Sequence, residues 1–214
     1  MTTLGIDFGT TNSVAATYSG NSPTVLALDT APTDWVPYGF DKVMPSVFAR
    51  DEHDRLMFGW SAKESTASKF EAVKRLFATQ QDLAFGADGD ALFVEEAATL
   101  LFAEIRKRSE LAGVSARQAV ITVPANSKGR ARHRTKICAG MGGFEVLGLI
   151  NEPTAAAMAY AQRNPDGRNY VVFDWGGGTL DVTVLQATDG VFIERASSGL
   201  PRSGGLDFDA RLSK

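Results

Sequence analysis

The stretches LGIDFGTTNSV (residues 4–14) and VVFDWGGGTLDV (residues 171–182) share one plan, and that plan decides the fold. In each, an apolar strand ends in an aspartate (Asp7, Asp174) and an aromatic residue follows (Phe8, Trp175). Glycine and threonine come next, and then Asn12 or Asp181. A second strand runs on into a glycine-containing turn (Gly20, Gly190) and a third strand. Repetition of a unit this long implies two similar lobes facing one another. A like-sized second copy would extend to roughly residue 340, so the sequence reads as the front part of a longer protein.

Working outward, short β-branched runs alternate with helical stretches, the pattern of an α/β sheet carrying helices on its faces. Strands are expected at 3–7, 12–18 and 24–28, with a hairpin turn at 19–22. Residues 45–49 and 55–58 read as a further pair. Residues 64–77 read as mostly helical and 80–90 as a loop. A longer helix is expected over 91–112, with Asp90 as N-cap and Gly113 at its end. Strands at 119–123 and 145–150 bracket a basic helix at 127–141. Pro153 opens an Ala-rich helix over 153–162. Three strands follow, at 170–174, 179–186 and 191–197. This places one lobe in residues 1–39 and 113–169, an inserted subdomain in 40–112, and the start of the second lobe in 170–214.

Composition narrows the function classes. Apolar residues make up 44% and charged residues 22%, which is globular rather than disordered. A net charge of −3 gives no overall pull toward nucleic acid or an anionic membrane. No run of apolar residues is long enough to span a bilayer, and the start has no secretory pattern. The single cysteine, Cys138, excludes an internal disulfide and reads as a small buried apolar residue. These features point to a reduced, cytoplasmic setting. Lys128, Arg130, Arg132, Arg134 and Lys136 read as a solvated helix face rather than a nucleic-acid patch.

The glycine turns carry the chemistry. Each places backbone N–H groups and a threonine hydroxyl at a hairpin tip, where the lack of a Cβ allows phosphate oxygens to approach. No Walker pattern GxxxxGK[ST] occurs. One such turn would read as a plain hairpin; two, each led by an aspartate, favour phosphate binding. Two carboxylates facing a polyphosphate need a cation between them, and Mg²⁺ suits one or two carboxylates plus substrate phosphates. Strand alternation turns Asp174 toward the cleft and Trp175 away from it, into the core of the second lobe.

IDFGTTNS, VITVPA, NEPTAAAMAY, VFDWGGGTLDV and SGGLDFD occur in this order. Their spacing resembles the nucleotide-binding domain of the seventy-kilodalton heat-shock chaperones of the DnaK type. The resemblance runs over essentially the whole chain and implies an actin-like ATPase (ribonuclease H-like) fold that binds ATP and ADP and hydrolyses ATP slowly. It implies phosphate contacts from Gly9, Thr10, Thr11 and Asn12 and from Gly176, Gly177, Gly178 and Thr179. Asp7 and Asp174 would hold the waters of Mg²⁺, and Asp181 would lie near a monovalent cation, K⁺. From composition alone Lys74 is a solvated helix lysine; the resemblance makes it the catalytic lysine. Glu152, Asp174 and Thr179 complete the catalytic set, and Gly204 with Gly205 would clamp the nucleotide. Pro124 and Arg132 would relay the nucleotide state. Co-chaperones and unfolded polypeptide clients would engage segments beyond those quoted, with no nucleic acid and no membrane involved. The family's adenosine-binding segment also lies further on, so residues 1–214 alone are expected to bind nucleotide weakly and turn it over negligibly. Leu206 stands where the family usually has Glu, and Trp175 where it has a smaller apolar residue. A small-metabolite kinase, an actin-like filament protein and a non-catalytic nucleotide sensor are the competing readings.

Overall fold

The computed structural model describes residues 2–19 and 22–213. In chain order the elements are β1 (Thr3–Phe8), β2 (Asn12–Ser19), β3 (Ser22–Val25), β4 (Met44–Pro45), β5 (Phe48–Arg50) and β6 (Leu56–Phe58). Next come α1 (Trp60–Glu64), β7 (Ser68–Phe70), α2 (Val73–Leu76), β8 (Leu83–Phe85), β9 (Ala91–Phe93) and α3 (Val94–Leu111). The remainder is β10 (Gln118–Val123), α4 (Gly129–Met141), β11 (Glu145–Asn151) and α5 (Glu152–Ala161). It ends in β12 (Asn169–Trp175), β13 (Thr179–Thr188), β14 (Val191–Pro201) and α6 (Gly205–Leu212).

A mixed sheet in the order β11-β10-β1-β2-β3, with β4 on β2, forms the first layer. β1 runs parallel to β10 and antiparallel to β2. A second sheet, β12-β13-β14, is wholly antiparallel. The repeated sequence unit is thus a repeated meander: β1-β2-β3 in one sheet and β12-β13-β14 in the other. Gly190 makes its turn with φ +79°, the left-handed conformation that glycine adopts without penalty. Gly20 lies outside the described residues.

The main core lies between the first sheet and the helices α3 and α4. Leu4, Ile6 and Phe8 alternate inward from β1, and Leu101, Phe102 and Ile105 meet them from α3. Phe8 and Phe102 have ring centroids 4.4 Å apart. Burial of each such side chain contributes about 1.5–3 kcal/mol. Cys138 is fully buried here, and burial first, then the charge of Glu95, pushes its thiol up to about 12. It is a packing residue.

The inserted segment departs from the expected elements. Residues 64–77 are not one helix, because β7 pairs with β5 inside this stretch and leaves only the short α2 beyond it. Residues 80–90 are not a plain loop: β8 pairs with β9 in a hairpin. That pairing takes Ala91–Phe93 from the expected helix, so Asp90 is not its cap. Tertiary strand pairing overrides helical composition here. β3 ends at Val25, short of the expected 28.

The basic helix is only partly a solvated face. Arg134 is buried and donates to Glu95, to Asp82 and to the carbonyl oxygens of Leu76 and Gln81. Its guanidinium fastens the segment after α2 to α4, and a fork of donors in fixed geometry suits that task. No helix among the described residues is long and apolar enough to cross a membrane.

Candidate functional site

Alternation along β1 turns Leu4, Ile6 and Phe8 into the core and leaves Asp7 on the opposite face. Along β12, Tyr170, Val172 and Asp174 share one face and Val171, Phe173 and Trp175 the other. Both aspartates therefore stand at strand ends on one cleft of about 1530 Å³. Trp175 points away from the cleft as expected, but it is not a core residue. Its indole is 57% exposed, packs edge-on against Phe208 and donates to the carbonyl oxygen of Ser203.

The two glycine turns meet tip to tip across the cleft. A Cβ built on Gly177 would lie 2.8 Å from Thr11 Oγ1, and one on Gly178 2.7 Å from Thr10 Oγ1. A Cβ on Gly9 would run into the carbonyl group of Asn12. Gly9, Thr10, Thr11, Asn12, Gly176, Gly177, Gly178 and Thr179 all line this space. Asn12 contributes a buried side-chain oxygen with no partner. Such an atom calls for a bound donor when the cleft is filled.

Lys74, from α2, is brought to the cleft floor. Its Nζ donates to Glu152 Oε1 at 2.6 Å, with the two side chains 9% and 18% exposed. Glu152 is the first residue of α5, where the helix N-terminus favours its charge. Burial nonetheless raises its pKa, against the opposing charge of Lys74, and Asp7 and Asp174 push it further upward. Asp174 is likewise raised, by burial first and then by Asp7 and Asp181. Asp7 accepts from Thr122 Oγ1 at 2.7 Å. Asp181 accepts from Asn126 at 3.1 Å and from Thr179 Oγ1 at 2.8 Å. The cleft thus concentrates negative charge around one lysine, an arrangement that a cation would relieve.

Gly204 and Gly205 sit behind the second turn. Gly204 is buried against the backbone of Gly177 and Gly178, and Gly205 N–H is spent on the carbonyl oxygen of Gly176. Arg132 donates through both Nη atoms to Asn151 Oδ1, and Asn151 in turn donates to Glu194 in β14. Helix α6 and the polar groups of Thr122, Asn126, Arg75 and Asp207 were not legible as site components. The one local signal was the spacing of Gly204 and Asp207, since Asp207 Oδ2 accepts from Gly204 N–H at the helix start.

A family model described as Hsp70 protein matches residues 78–214. The chain belongs to the Hsp70 family. Its similarity to the chaperone protein dnaK of Emiliania huxleyi is 34% identity over 235 residues, 98% of this chain and 36% of that protein. The Cyanidioschyzon merolae chaperone protein dnaK is 36% identical over 98% of this chain and 37% of its own length. The Methanothermobacter thermautotrophicus chaperone protein DnaK is 35% identical over 96% of this chain and 34% of its own length. This chain spans little more than a third of these Hsp70-family relatives. Membership carries an actin-like ATPase fold, with which the mixed α/β arrangement agrees.

The crowded carboxylates yield a test without any ligand. A carboxyl whose pKa is raised on folding contributes stability at low pH that is lost as pH rises through the folded value. Asp174→Asn should therefore raise the melting temperature at pH 8, by about 2 °C, as ~0.5–1 kcal/mol would in a chain of this length. As the pH falls the carboxyl takes up a proton, and the gain should shrink. A gain that grows as pH falls would reverse the assigned electrostatics.

Proposed function

We propose that this chain is the nucleotide-binding, ATP-hydrolysing part of an Hsp70-type chaperone. The observation that carries this reading is the meeting of two glycine turns, Gly9–Asn12 and Gly176–Thr179, over Asp7, Asp174, Lys74 and Glu152 in one cleft. In this reading residues 1–39 and 113–169 form the first lobe, 40–112 its inserted subdomain, and 170–214 the beginning of the second lobe. The family assignment gives no support to the metabolite-kinase, filament or non-catalytic readings.

The roles follow from where each group stands. Backbone N–H groups of both turns, with the hydroxyls of Thr10 and Thr179, hold phosphate oxygens. Thr179 exchanges its present bond to Asp181 for one to phosphate, leaving Asp181 free for K⁺. Lys74 stabilises the charge that develops on the transferring phosphoryl group. Glu152 and Asp174 accept hydrogen bonds from the attacking water and orient it, and their raised pKa values make them better acceptors. The donor set fits Mg²⁺ held through water. Among the described residues no three His, Cys, Asp or Glu side chains converge as direct ligands, yet the charge of Asp7 adds to the cost of ionising Asp174. Bound there, Mg²⁺ would neutralise phosphate charge. Client polypeptides and co-chaperones belong to the same proposal, as partners of the whole chaperone.

The test is a pair of titrations of the chain with Mg·ATP and with magnesium tripolyphosphate, followed by calorimetry. Because the converging groups are directed at phosphate, tripolyphosphate should compete with ATP, and chelating Mg²⁺ should abolish both signals. ATP binding indifferent to tripolyphosphate and to Mg²⁺ would place the nucleotide elsewhere.

A further inference from the structure

The mouth of the cleft carries an ion pair that the proposed chemistry does not use. Arg75, the residue after Lys74 on α2, donates through one Nη to both carboxylate oxygens of Asp207, each at 2.8 Å. The two side chains are only 25% and 20% exposed, and 132 positions separate them in sequence. Asp207 is fixed a third way, by accepting from Gly204 N–H at 3.1 Å. Arg75 holds its carboxyl below the usual range.

What Asp207 is attached to gives the pair its significance. The start of α6 is fastened to the second glycine turn at several points. Gly205 N–H donates to Gly176 and Leu206 N–H to Gly177, each at 3.1 Å. Trp175 donates to Ser203 at 2.9 Å, and its ring meets Phe208 at 5.4 Å. Gly204 packs against the turn so closely that no side chain fits. The second turn and α6 therefore form one body.

On the other side, α2 is a single turn of four residues, entered through Ala72 in a left-handed conformation (φ +54°). Consecutive helical residues project about 100° apart. Lys74 accordingly reaches down to Glu152 while Arg75 reaches across to Asp207. One short helix thus holds the cleft floor and clasps its far wall.

We infer that Arg75 and Asp207 are a positioning pair, a clasp across the cleft mouth that holds the second glycine turn in register with Lys74 and sets how fast a phosphate ligand leaves. Both residues line the cleft, and the role inferred for the pair is exerted through α6 and α2 rather than by contact with the reacting atoms. The inference rests on the phosphate-binding reading for its ligand arm and is independent of it for the structural arm. A charge-assisted, half-shielded contact with one donor on two acceptors is stronger than an exposed ion pair. Opening it should change rates by about fivefold.

The experiment is a double-mutant cycle on the 214-residue chain with Arg75→Ala, Asp207→Asn and both together. Asparagine at 207 keeps an acceptor for Gly204 N–H, so α6 retains its cap. Hydrogen exchange at the amides of Gly205 and Leu206 reads the clasp without ligand. Stopped-flow release of magnesium tripolyphosphate, followed by Trp175 emission with Trp35 and Trp60 replaced by Phe, reads it with ligand. Each single variant should speed exchange and release about fivefold, the double no more than the worse single, and Arg75→Lys should restore most of the effect. Exchange unchanged in Arg75→Ala, or single effects that multiply in the double, would overturn the clasp. Release unchanged although exchange quickens would also overturn it, since the turn would then move without consequence. If exchange shows the coupled pattern and the parent chain binds no tripolyphosphate, the phosphate reading fails and the ligand half of the clasp fails with it.

Discussion

In a full-length Hsp70-type chaperone carrying this chain, replacing Lys74 by alanine is expected to lower single-turnover phosphate release by roughly 10²–10³-fold while weakening Mg·ATP binding far less. The lysine is paired on the cleft floor, where its Nζ stands 2.6 Å from Glu152 beside Asp7 and Asp174. Charge fixed there matters most where charge develops on the phosphoryl group. The same variant carries a second readout that needs no nucleotide. Glu152 loses the cation that opposes its burial, so its raised pKa climbs further. A raised carboxyl gives stability at low pH that is lost as pH rises, so the variant should lose more against the parent at pH 8 than at pH 5. Breaking a largely buried pair suggests about 2 kcal/mol at pH 8, a shift of roughly 5 °C. Lys74→Met, which keeps the aliphatic stem, should show the same pH trend with a smaller total loss. Equal losses at both pH values, with turnover intact, would return Lys74 to a packing role.

How much of this was legible in the sequence depends on whether the deciding contacts are local. The meanders around Asp7 and Asp174 follow from strand alternation and glycine turns, both written within a dozen residues, and they fold as read. Pro153 at the start of α5 and Gly113, with φ +86° after α3, are likewise local signals. The inserted segment was misread because its short strands are defined by partners: β7 exists through β5, and β9 through β8. Composition around Ser68–Phe70 and Ala91–Phe93 suits a helix equally well until those partners are present. Arg134 looked like one cation among five, and only the folding of Asp82 and Glu95 onto α4 buries it. Lys74 shows the limit from the other side. Its context in the sequence is that of a surface helix, and its link to Glu152 spans 78 positions that no periodicity connects. The resemblance named it, and the fold supplies the partner.

The closeness of the two glycine turns leads to the remaining large effect. Gly177 has no room for a methyl group, because its Cβ would meet Oγ1 and Cβ of Thr11 at 2.8 and 3.1 Å, with the methyl Cγ2 nearer still. Thr11 is β-branched and has little rotamer freedom to move aside. Gly177→Ala must therefore push the turns apart, and a displacement of about 1 Å at a positioned site can cost 10²-fold. Affinity for magnesium tripolyphosphate should fall by about that factor. The fold should survive, because Gly177 stands at a hairpin tip and the main core lies between the first sheet and α3. Thr11→Ser removes the nearest carbon and keeps the hydroxyl. Placed in the same chain, it should recover about tenfold of the loss, whereas Thr11→Ser alone should weaken binding only slightly. Melting temperature serves as the control for folding in all three variants. If Gly177→Ala binds tripolyphosphate as the parent does, the turns do not grip a ligand between them. If Thr11→Ser fails to restore a real loss, the glycine is required for its own backbone N–H geometry and not for the approach of the facing turn.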